Sequence, residues 1–323
     1  MKFILAPIKL FFLLPLLIAC ERDISLYNEQ LVSDTLRYNY KTKNVIILVI
    51  DGPRYSETWG DSTHQYIPKT SGLLKDGVIF SNFHNSGPTY TNAGFTAITT
   101  GNYQEIDNTG QELPENPSVF QYWLKKNEGK KERARIIESK GKLNILSDCR
   151  QQEWKGNYNP AVNCGIDGGG NGYREDSATF SAAIEELKQH HPTLALIGFR
   201  EPDYSGHQNN WNGYLEGIKK TDEYIFLLWN FLQSDSLYKN TTSIFVTNDH
   251  GRHLDGVNGG FANHGDDCEG CRHINLFVAG PDFIQNKIIS SSYELVDISA
   301  TIAELMGFEM LTGKGKVMRE IFR

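Results

Sequence analysis

A strand-like run that ends in an Asp-His-Gly triplet places the strongest constraint on how this chain folds. Residues 243–248 are mostly apolar and β-branched, and Asp249, His250 and Gly251 follow them directly. Two similar runs, 44–50 and 193–199, each lead to an aspartate. In open α/β sheets, ligands bind outside the carboxyl ends of the strands. We therefore expect these polar side chains to converge on one crevice.

The number of acidic and imidazole groups in this set exceeds what one metal needs. Three aspartates and three histidines would together suit two adjacent divalent metals, most naturally Zn²⁺, as in a two-metal hydrolase. His253 and His273 are alternatives to the histidine that follows the triplet by a short loop. The predicted ligands are Asp51, Asp203, His207, Asp249, His250 and His264.

Apolar periodicity predicts an α/β fold with a mainly parallel central sheet flanked by helices on both faces. Two Gly-rich stretches interrupt the pattern. The stretch 148–174 is predicted to be a long surface loop closed by a disulfide, and the stretch 251–272 is expected to lie beside the metals. Strands are expected at 44–50, 77–80, 193–199 and 243–248, and helices at 67–74, 93–101, 117–126, 177–190 and 214–232.

Thr91 is the best candidate for a nucleophilic hydroxyl. It lies near the start of a short predicted helix of small residues. Backbone N–H groups and the helix dipole favour an anion at such a position. The alternative is that Thr91 only caps the helix, as many threonines do.

The N-terminal residues have the layout of a secretory signal peptide. Lys2 precedes an apolar stretch at 10–19 that is too short and too Pro-interrupted for a good membrane-spanning helix. Cys20 follows in a context that resembles a bacterial lipobox, although an ordinary cleaved signal is also possible. We expect a signal peptide at 1–19, a lipidated Cys20 with a tether over 20–42, and a catalytic domain over 43–323. The expected location is the bacterial cell envelope, on a membrane.

Four cysteines other than Cys20 suggest two disulfides in an exported protein. The simplest pairing is Cys149–Cys164 with Cys268–Cys271, but three pairings are possible. A redox pair or a metal site are further alternatives for the Cys-x-x-Cys spacing of the last two.

The net charge of −7 gives no indication of nucleic-acid binding, for which a basic stripe would be expected. The expected partners are a small phosphorylated substrate and the membrane. The sequence leaves the oligomeric state open, and a monomer is favoured.

Five separated motifs resemble the alkaline phosphatase superfamily, particularly its phosphodiesterase/nucleotide pyrophosphatase and phosphate-irrepressible alkaline phosphatase branches. They occur in the superfamily's order, and the resemblance extends over about residues 43–323, including a C-terminal helix near 296–307. The motifs are Ile50-Asp51-Gly52, Pro88 to Thr91 running on to Gly101, Glu201 to His207, Asn248 to Gly251 and Asn263-His264-Gly265.

The resemblance implies how the ligands divide between two metals. One metal would be bound by Asp203, His207 and His264. The other would be bound by Asp51, Asp249 and His250, with Thr91 as a nucleophilic ligand that forms a phospho-threonine intermediate.

Two departures from related branches favour a phosphate monoesterase. The residues after Thr91 lack the Cys and Arg of formylglycine sulfatases, and they also lack the Pro-Asn-His run of the diesterases. Lys140 and Lys142 resemble a basic element that grips phosphate oxygens, unless they lie in a solvated turn, and Asn108 is a weaker candidate for a phosphate-binding amide. A phosphodiesterase/nucleotide pyrophosphatase-type hydrolase and a catalytically silent, ligand-binding surface lipoprotein are the alternatives.

Overall fold

The computed structural model describes residues 39–323. The predicted signal peptide, Cys20 and the tether up to residue 38 lie outside the described residues. The last residues assigned to the tether belong to the domain, since the backbone N–H groups of Lys41 and Thr42 donate to the Asp282 carboxylate at 2.9 and 2.7 Å.

The described chain alternates strands with helices and short 3₁₀ segments. The strands are β1 (Asn44–Asp51), β2 (Gly77–His84), β3 (Ala134–Glu138), β4 (Ala161–Cys164), β5 (Leu194–Pro202), β6 (Thr242–Asn248), β7 (His273–Ala279), β8 (Lys287–Ile289) and β9 (Tyr293–Glu294). The α-helices are α1 (Pro68–Gly72), α2 (Thr91–Thr100), α3 (Val119–Asn127), α4 (Asp176–His190), α5 (Asp203–His207), α6 (Trp211–Ser234), α7 (Glu269–Arg272) and α8 (Val296–Met306). The 3₁₀ segments are Tyr55–Glu57, Leu73–Asp76, Lys131–Arg133, Gly141–Ser147, Gly260–Ala262 and Arg319–Ile321.

One sheet organises the fold, with strand order β4-β3-β5-β1-β6-β7-β2-β8 and with β9 beside β2. β1 pairs in parallel with β5 on one side and with β6 on the other. β7 is antiparallel to both of its neighbours, β6 and β2. The prediction of a mainly parallel sheet is therefore confirmed, with one reversed strand among the described residues.

β1 is buried because both faces of the sheet are covered. Its alternate residues enter two hydrophobic cores: Val45, Ile47 and Val49 pack with α2, α3 and α8, while Ile46 and Leu48 pack with α4 and α6. Such a strand reads as a continuous apolar run rather than an alternating one. This explains why β1 and β6 could be recognised from the sequence alone.

Two expectations need correction. All four described cysteines are free thiols, so neither predicted disulfide is present. Cys164 is the buried last residue of the partly buried edge strand β4, and its thiol faces the Ile136 carbonyl of β3 at 3.8 Å. The predicted loop over 148–174 is also interrupted by that edge strand.

No helix in the chain from residue 39 onward is long and apolar enough to cross a membrane.

Candidate metal centre

Three aspartates lie at the carboxyl ends of three neighbouring strands. Asp51 is the last residue of β1, Asp203 begins α5 directly after β5, and Asp249 directly follows β6. The β1–β6 register pairs Ile50 with Asn248, which brings the first and third carboxylates side by side. All three aspartates are at most 2% exposed. The convergence expected from the strand ends is what the fold produces.

Asp51, Asp249 and His250 form a set that we call the strand-end ligands. His250 Nε2 lies 3.5 Å from Asp51 Oδ1 and 3.4 Å from Asp249 Oδ2. These three atoms are buried, and none has a hydrogen-bond partner within the described part of the chain. His250 Nδ1 faces the Gly251 carbonyl at 2.9 Å, which fixes the ring and turns the other nitrogen inward. Since buried polar atoms are rarely left unpaired, three orphaned ligand atoms in contact fit a metal ion.

The protonation equilibria of the strand-end ligands reflect their burial. Burial, reinforced by the charge of Asp203, raises the pKa of Asp51 to about 7. Burial and the nearby Asp51 raise the pKa of Asp249 well above its usual value, while burial lowers the pKa of His250. A divalent cation would favour the ionised carboxylates and the neutral imidazole, which are the forms that bind metals.

Asp203, His207 and His264 form a second set, the loop-side ligands. The two imidazole Nε2 atoms are 3.0 Å apart, and they lie 3.3 and 3.4 Å from Asp203 Oδ1. His264 Nδ1 faces the Thr89 carbonyl at 2.8 Å. The side chain of His207 is 52% exposed, unlike any strand-end ligand. The donor set suits a zinc ion, in a position open to solvent.

Two buried cations lie among these carboxylates. Lys140 Nζ is 2.7 Å from both Asp51 Oδ2 and Asp203 Oδ2, so it bridges the two ligand sets. The guanidinium of Arg252, which is fully buried, donates to Asp203 Oδ1 and to the Phe261 carbonyl. Lys140 is therefore not in a solvated turn. The sequence did not predict a role for Arg252. The only feature of the sequence that could have indicated one is that Arg252 directly follows the Asp-His-Gly triplet.

These cations set the charge of Asp203. Burial alone would raise the pKa of this carboxyl, but Lys140, His207 and Arg252 together hold it well below its usual value. The pKa of Lys140 is in turn held above its usual value, because Asp203 and Asp51 outweigh the effect of burial. These contacts favour the ionised form of Asp203, which is the form that binds a metal.

Thr91 is the first residue of α2, and its hydroxyl points toward the centre. The cap position belongs to Tyr90 and has no side-chain cap, so Thr91 is not an N-cap. Thr91 Oγ1 lies 3.5 Å from Asp51 Oδ2 and 3.4 Å from Lys140 Nζ. A Cβ on Gly94 would come within 2.5 Å of the Asp249 carbonyl oxygen. The missing side chain lets α2 approach the end of β6 closely enough to present the hydroxyl.

Asn108 and Lys142 lie on the outer side of the hydroxyl. Asn108 Oδ1 accepts from the Asn92 backbone N–H at 3.1 Å and from Lys142 Nζ at 2.7 Å. Burial and the charge of Lys140 lower the pKa of Lys142 to about 8. Both residues line a cavity of about 640 Å³ that also includes Tyr173 and the glycine-rich turn at 169–172.

The two alternative histidines lie elsewhere. His273 contacts Glu269 at 3.1 Å and stacks on Tyr55. His253 lies 3.1 Å from Asp266. Of the candidates that follow the triplet, His264 is the one the fold brings to Asp203.

The sequence model described as Sulfatase matches residues 43–308, which is most of the chain. The chain belongs to the Sulfatase family. This places it in the alkaline phosphatase superfamily, as the motif order implied. Comparison with curated protein sequences gives no significant match.

Solved structures share the fold at low sequence identity. A phosphonate monoester hydrolase from Silicibacter pomeroyi is 14% identical with a TM-score of 0.63, over 86% of this chain and 76% of that one. An alkaline phosphatase superfamily protein from Vibrio parahaemolyticus is 16% identical with a TM-score of 0.63, over 89% and 72%. Murine ectonucleotide pyrophosphatase/phosphodiesterase 5, in an inactive form with AMP, is 14% identical with a TM-score of 0.61, over 87% and 100%.

Proposed function

We propose that this protein is a metal-dependent phosphoric ester hydrolase that uses Thr91 as its nucleophile. One observation carries the proposal: the orphaned, buried atoms of the strand-end ligands lie beside a threonine hydroxyl at the start of a helix. A helix N-terminus favours a phosphate, and an adjacent cation favours the alkoxide form of the hydroxyl.

Thr91 Oγ1 would form a bond to phosphorus as the bond from phosphorus to the leaving oxygen breaks. The hydroxyl proton goes to solvent, and the leaving alcohol takes up a proton. Water then attacks the phospho-threonine, releases phosphate and restores the hydroxyl. Two Zn²⁺ ions, when bound by the strand-end and loop-side ligands, would supply positive charge to the nucleophile and to the leaving oxygen. Lys140 adds a buried ammonium group 3.4 Å from the nucleophile.

A phosphate monoester is the favoured substrate class. A dianionic phosphoryl group needs more positive charge and more donors than a diester does. Lys142 and the amide of Asn108 sit together at the outer side of Thr91, where free phosphoryl oxygens would lie. No carboxylate is paired with Lys142 in the ion pairs of the described chain, which leaves its charge for the substrate.

A phosphodiesterase is the second candidate. The cavity of about 640 Å³ is lined by Asn108 and Lys142 rather than by Thr91 or the metal ligands, and it offers room for a second ester substituent of a substrate held by these two residues. The murine relative with AMP is a nucleotide pyrophosphatase/phosphodiesterase, inactivated by a threonine-to-alanine change. Sulfate esters are disfavoured because a threonine, rather than a cysteine or serine, occupies the nucleophile position.

The test compares initial rates on an aryl phosphate, a bis-aryl phosphate and an aryl sulfate, together with elemental analysis of the same preparation. We expect about two catalytic zinc ions per chain, loss of activity with a chelator, and the highest rate on the monoester. Faster turnover of the diester than of the monoester would make the phosphodiesterase the favoured function. A protein that turns over no ester and binds no metal at the strand-end ligands would be a silent binding protein.

We also propose that the protein is attached to a membrane of the bacterial envelope through Cys20. The support is the apolar run ending in Leu17-Ile18-Ala19-Cys20. The wild-type protein should partition with membranes and carry a lipid on an N-terminal Cys20, whereas Cys20→Ala should be released or left unprocessed. Mass spectrometry that finds an unmodified N-terminus at another residue contradicts the anchor.

A further inference from the structure

A second group of ligand-type side chains lies outside the catalytic ligands. Its members come from the segment after the Asp-His-Gly triplet and from the turn that leads into α7. Each offers one ligand atom, and these atoms lie within 4.8 Å of one another. The four residues, which we call the thiol cluster, are His253, Asp266, Cys268 and Cys271.

The local backbone explains why the two thiols meet. Cys268 is the N-cap of α7 and Cys271 lies one turn later, where its N–H donates to the Cys268 carbonyl at 3.1 Å. A Cys-x-x-Cys turn of this kind presents both sulfur atoms on the same side, and it is a common half of a structural zinc site.

His253 supplies an independent indication of a ligand. The residue is 4% exposed, and its Nδ1 faces the Asn258 carbonyl at 3.0 Å, which fixes the ring. Its Nε2 is buried and makes no hydrogen bond within the described chain, although Asp266 Oδ2 lies 3.1 Å away. The imidazole therefore presents an unsatisfied nitrogen to the carboxylate and the two thiols, in the arrangement by which a second contact orients a metal-binding histidine.

Asp266 is also held in place. Its Oδ1 accepts from the Cys268 N–H at 3.0 Å, and its Oδ2 accepts from Asn258 Nδ2 at 2.8 Å. Asn258 thus orients two members of the cluster, the imidazole through its carbonyl and the carboxylate through its amide. In metal sites, contacts of this kind hold the side chains that bind the metal directly in the correct orientation.

We propose that the thiol cluster binds one structural Zn²⁺ ion, distinct from the catalytic metals. One nitrogen, one carboxylate oxygen and two sulfur atoms complete a tetrahedral set, which leaves no open position for a substrate. Binding releases the two thiol protons to solvent, and the resulting thiolates and carboxylate outweigh the charge of the ion by one.

The ion would close the loop that carries His264, since that residue lies between His253 and Cys268 in the sequence. The same loop is tied to the start of α2, because Thr89 Oγ1 donates to the Asp266 carbonyl at 2.6 Å and the Thr89 carbonyl faces His264 Nδ1. The structural ion would therefore position a catalytic ligand. This consequence for activity rests on the proposed function, whereas zinc binding itself does not.

The first test replaces zinc with Co²⁺ in the purified protein. The catalytic ligands contain no sulfur, so thiolate-to-cobalt charge-transfer absorption in the near ultraviolet reports only on the thiol cluster. We expect this absorption in wild type, an unchanged band in His250→Ala, and a band lost or at least halved in Cys268→Ala. Cys149→Ala, which removes a free cysteine outside the cluster, is the matched control and should keep the full band.

The second test measures zinc by elemental analysis. Cys268→Ala should contain about one zinc fewer than wild type, and Asp266→Asn should lose zinc to a chelator faster than the neighbouring exposed control Asp267→Asn. Wild type without thiolate charge transfer, or native peptides that carry a Cys268–Cys271 disulfide, would overturn the proposal. A protein that hydrolyses no ester but still shows the cobalt band would refute the proposed function and leave the structural site standing.

Discussion

The two ligand sets of the centre are built in different ways. The strand-end ligands sit on or directly after β1 and β6, are fully buried, and leave three polar atoms without partners. The loop-side ligands come from a five-residue helix and from a loop, and one of them is half exposed. In the second set, Arg252 already contacts Asp203 Oδ1. The sheet thus preorganises one metal position, while the other depends on connections. Lys140 contacts one carboxylate of each set, whereas Arg252 contacts Asp203 of the loop-side set.

The largest effect should follow from removing the hydroxyl of Thr91, which lies beside the strand-end ligands. Thr91→Ala should lower kcat by roughly three to six orders of magnitude, because nucleophile and metals act as one unit. Thr91→Ser should retain much more activity, since it keeps the oxygen. The measurement is steady-state kinetics on zinc-loaded variants with metal content checked in parallel. Near-wild-type turnover by the alanine variant would point to direct attack by water.

Metal removal should distinguish the strand-end ligands from the loop-side ligands. On stepwise chelation, the loop-side ion should leave before the strand-end ion, because its ligands are more exposed and Arg252 can replace it. His207→Ala should weaken one metal by at least about tenfold, whereas His250→Ala should abolish binding at the strand end. Isothermal titration of metal-free protein measures both, with the surface variant His190→Ala as control. Equal loss of both ions in wild type would show that the halves do not differ.

The strand-end geometry also depends on how closely α2 packs. Gly94→Ala should push the helix away from Asp249, lower the unfolding temperature, and reduce kcat by up to about a hundredfold if Thr91 moves by an ångström. Gly72→Ala is the matched control, since an added Cβ there meets nothing within 4 Å. Unchanged kinetics in Gly94→Ala would mean that the helix start tolerates displacement.

The smallest effect concerns Lys142 and the pH. Its pKa of about 8 means that the ammonium is charged well below pH 8 and neutral well above it. Bound metal ions, being positive, would shift the pKa further down. The advantage of wild type over Lys142→Gln in kcat/KM for a monoester should therefore be complete at low pH and disappear as the pH rises through the pKa that Lys142 has in the metal-bound protein. Lys155→Gln, which changes an exposed lysine, serves as control. A ratio of wild-type to Lys142→Gln kcat/KM that does not depend on pH would show that the charge of Lys142 does not contribute to substrate binding.

The elements that were predicted are those whose burial leaves a plain signature. β1 and β6 are continuous apolar runs, and α4 and α6 show one-sided periodicity. β3 was missed because its sequence includes two buried ionisable residues, Arg135 and Glu138. Arg135 is held by an ion pair with Glu186, and burial raises the pKa of Glu138 well above its usual value. A charged residue in a sequence predicts a solvent-exposed segment, unless its ion-pair partner, which can lie far along the chain, is known.

The candidate site shows the same division. Residues at strand ends were found because strand direction alone brings them together. The position of Lys140 between two carboxylates and the burial of Arg252 depend on tertiary contacts that no local pattern encodes. The disulfide prediction went wrong for a related reason: cysteine number indicates pairing, but only the fold shows what each thiol faces.

The reversed direction of β7 has a consequence for how this protein can diversify. A parallel strand after β6 would require the chain to cross behind the sheet, usually by a helix. Because β7 runs the other way, residues 249–272 stay on the edge of the sheet where the centre lies. Insertions in this one connection, between its metal ligands His250 and His264, can reshape the approach to the reacting group without disturbing any core-forming helix. We expect a chimera that receives this part of the connection from a relative, with the ligands kept, to shift toward the selectivity of the donor.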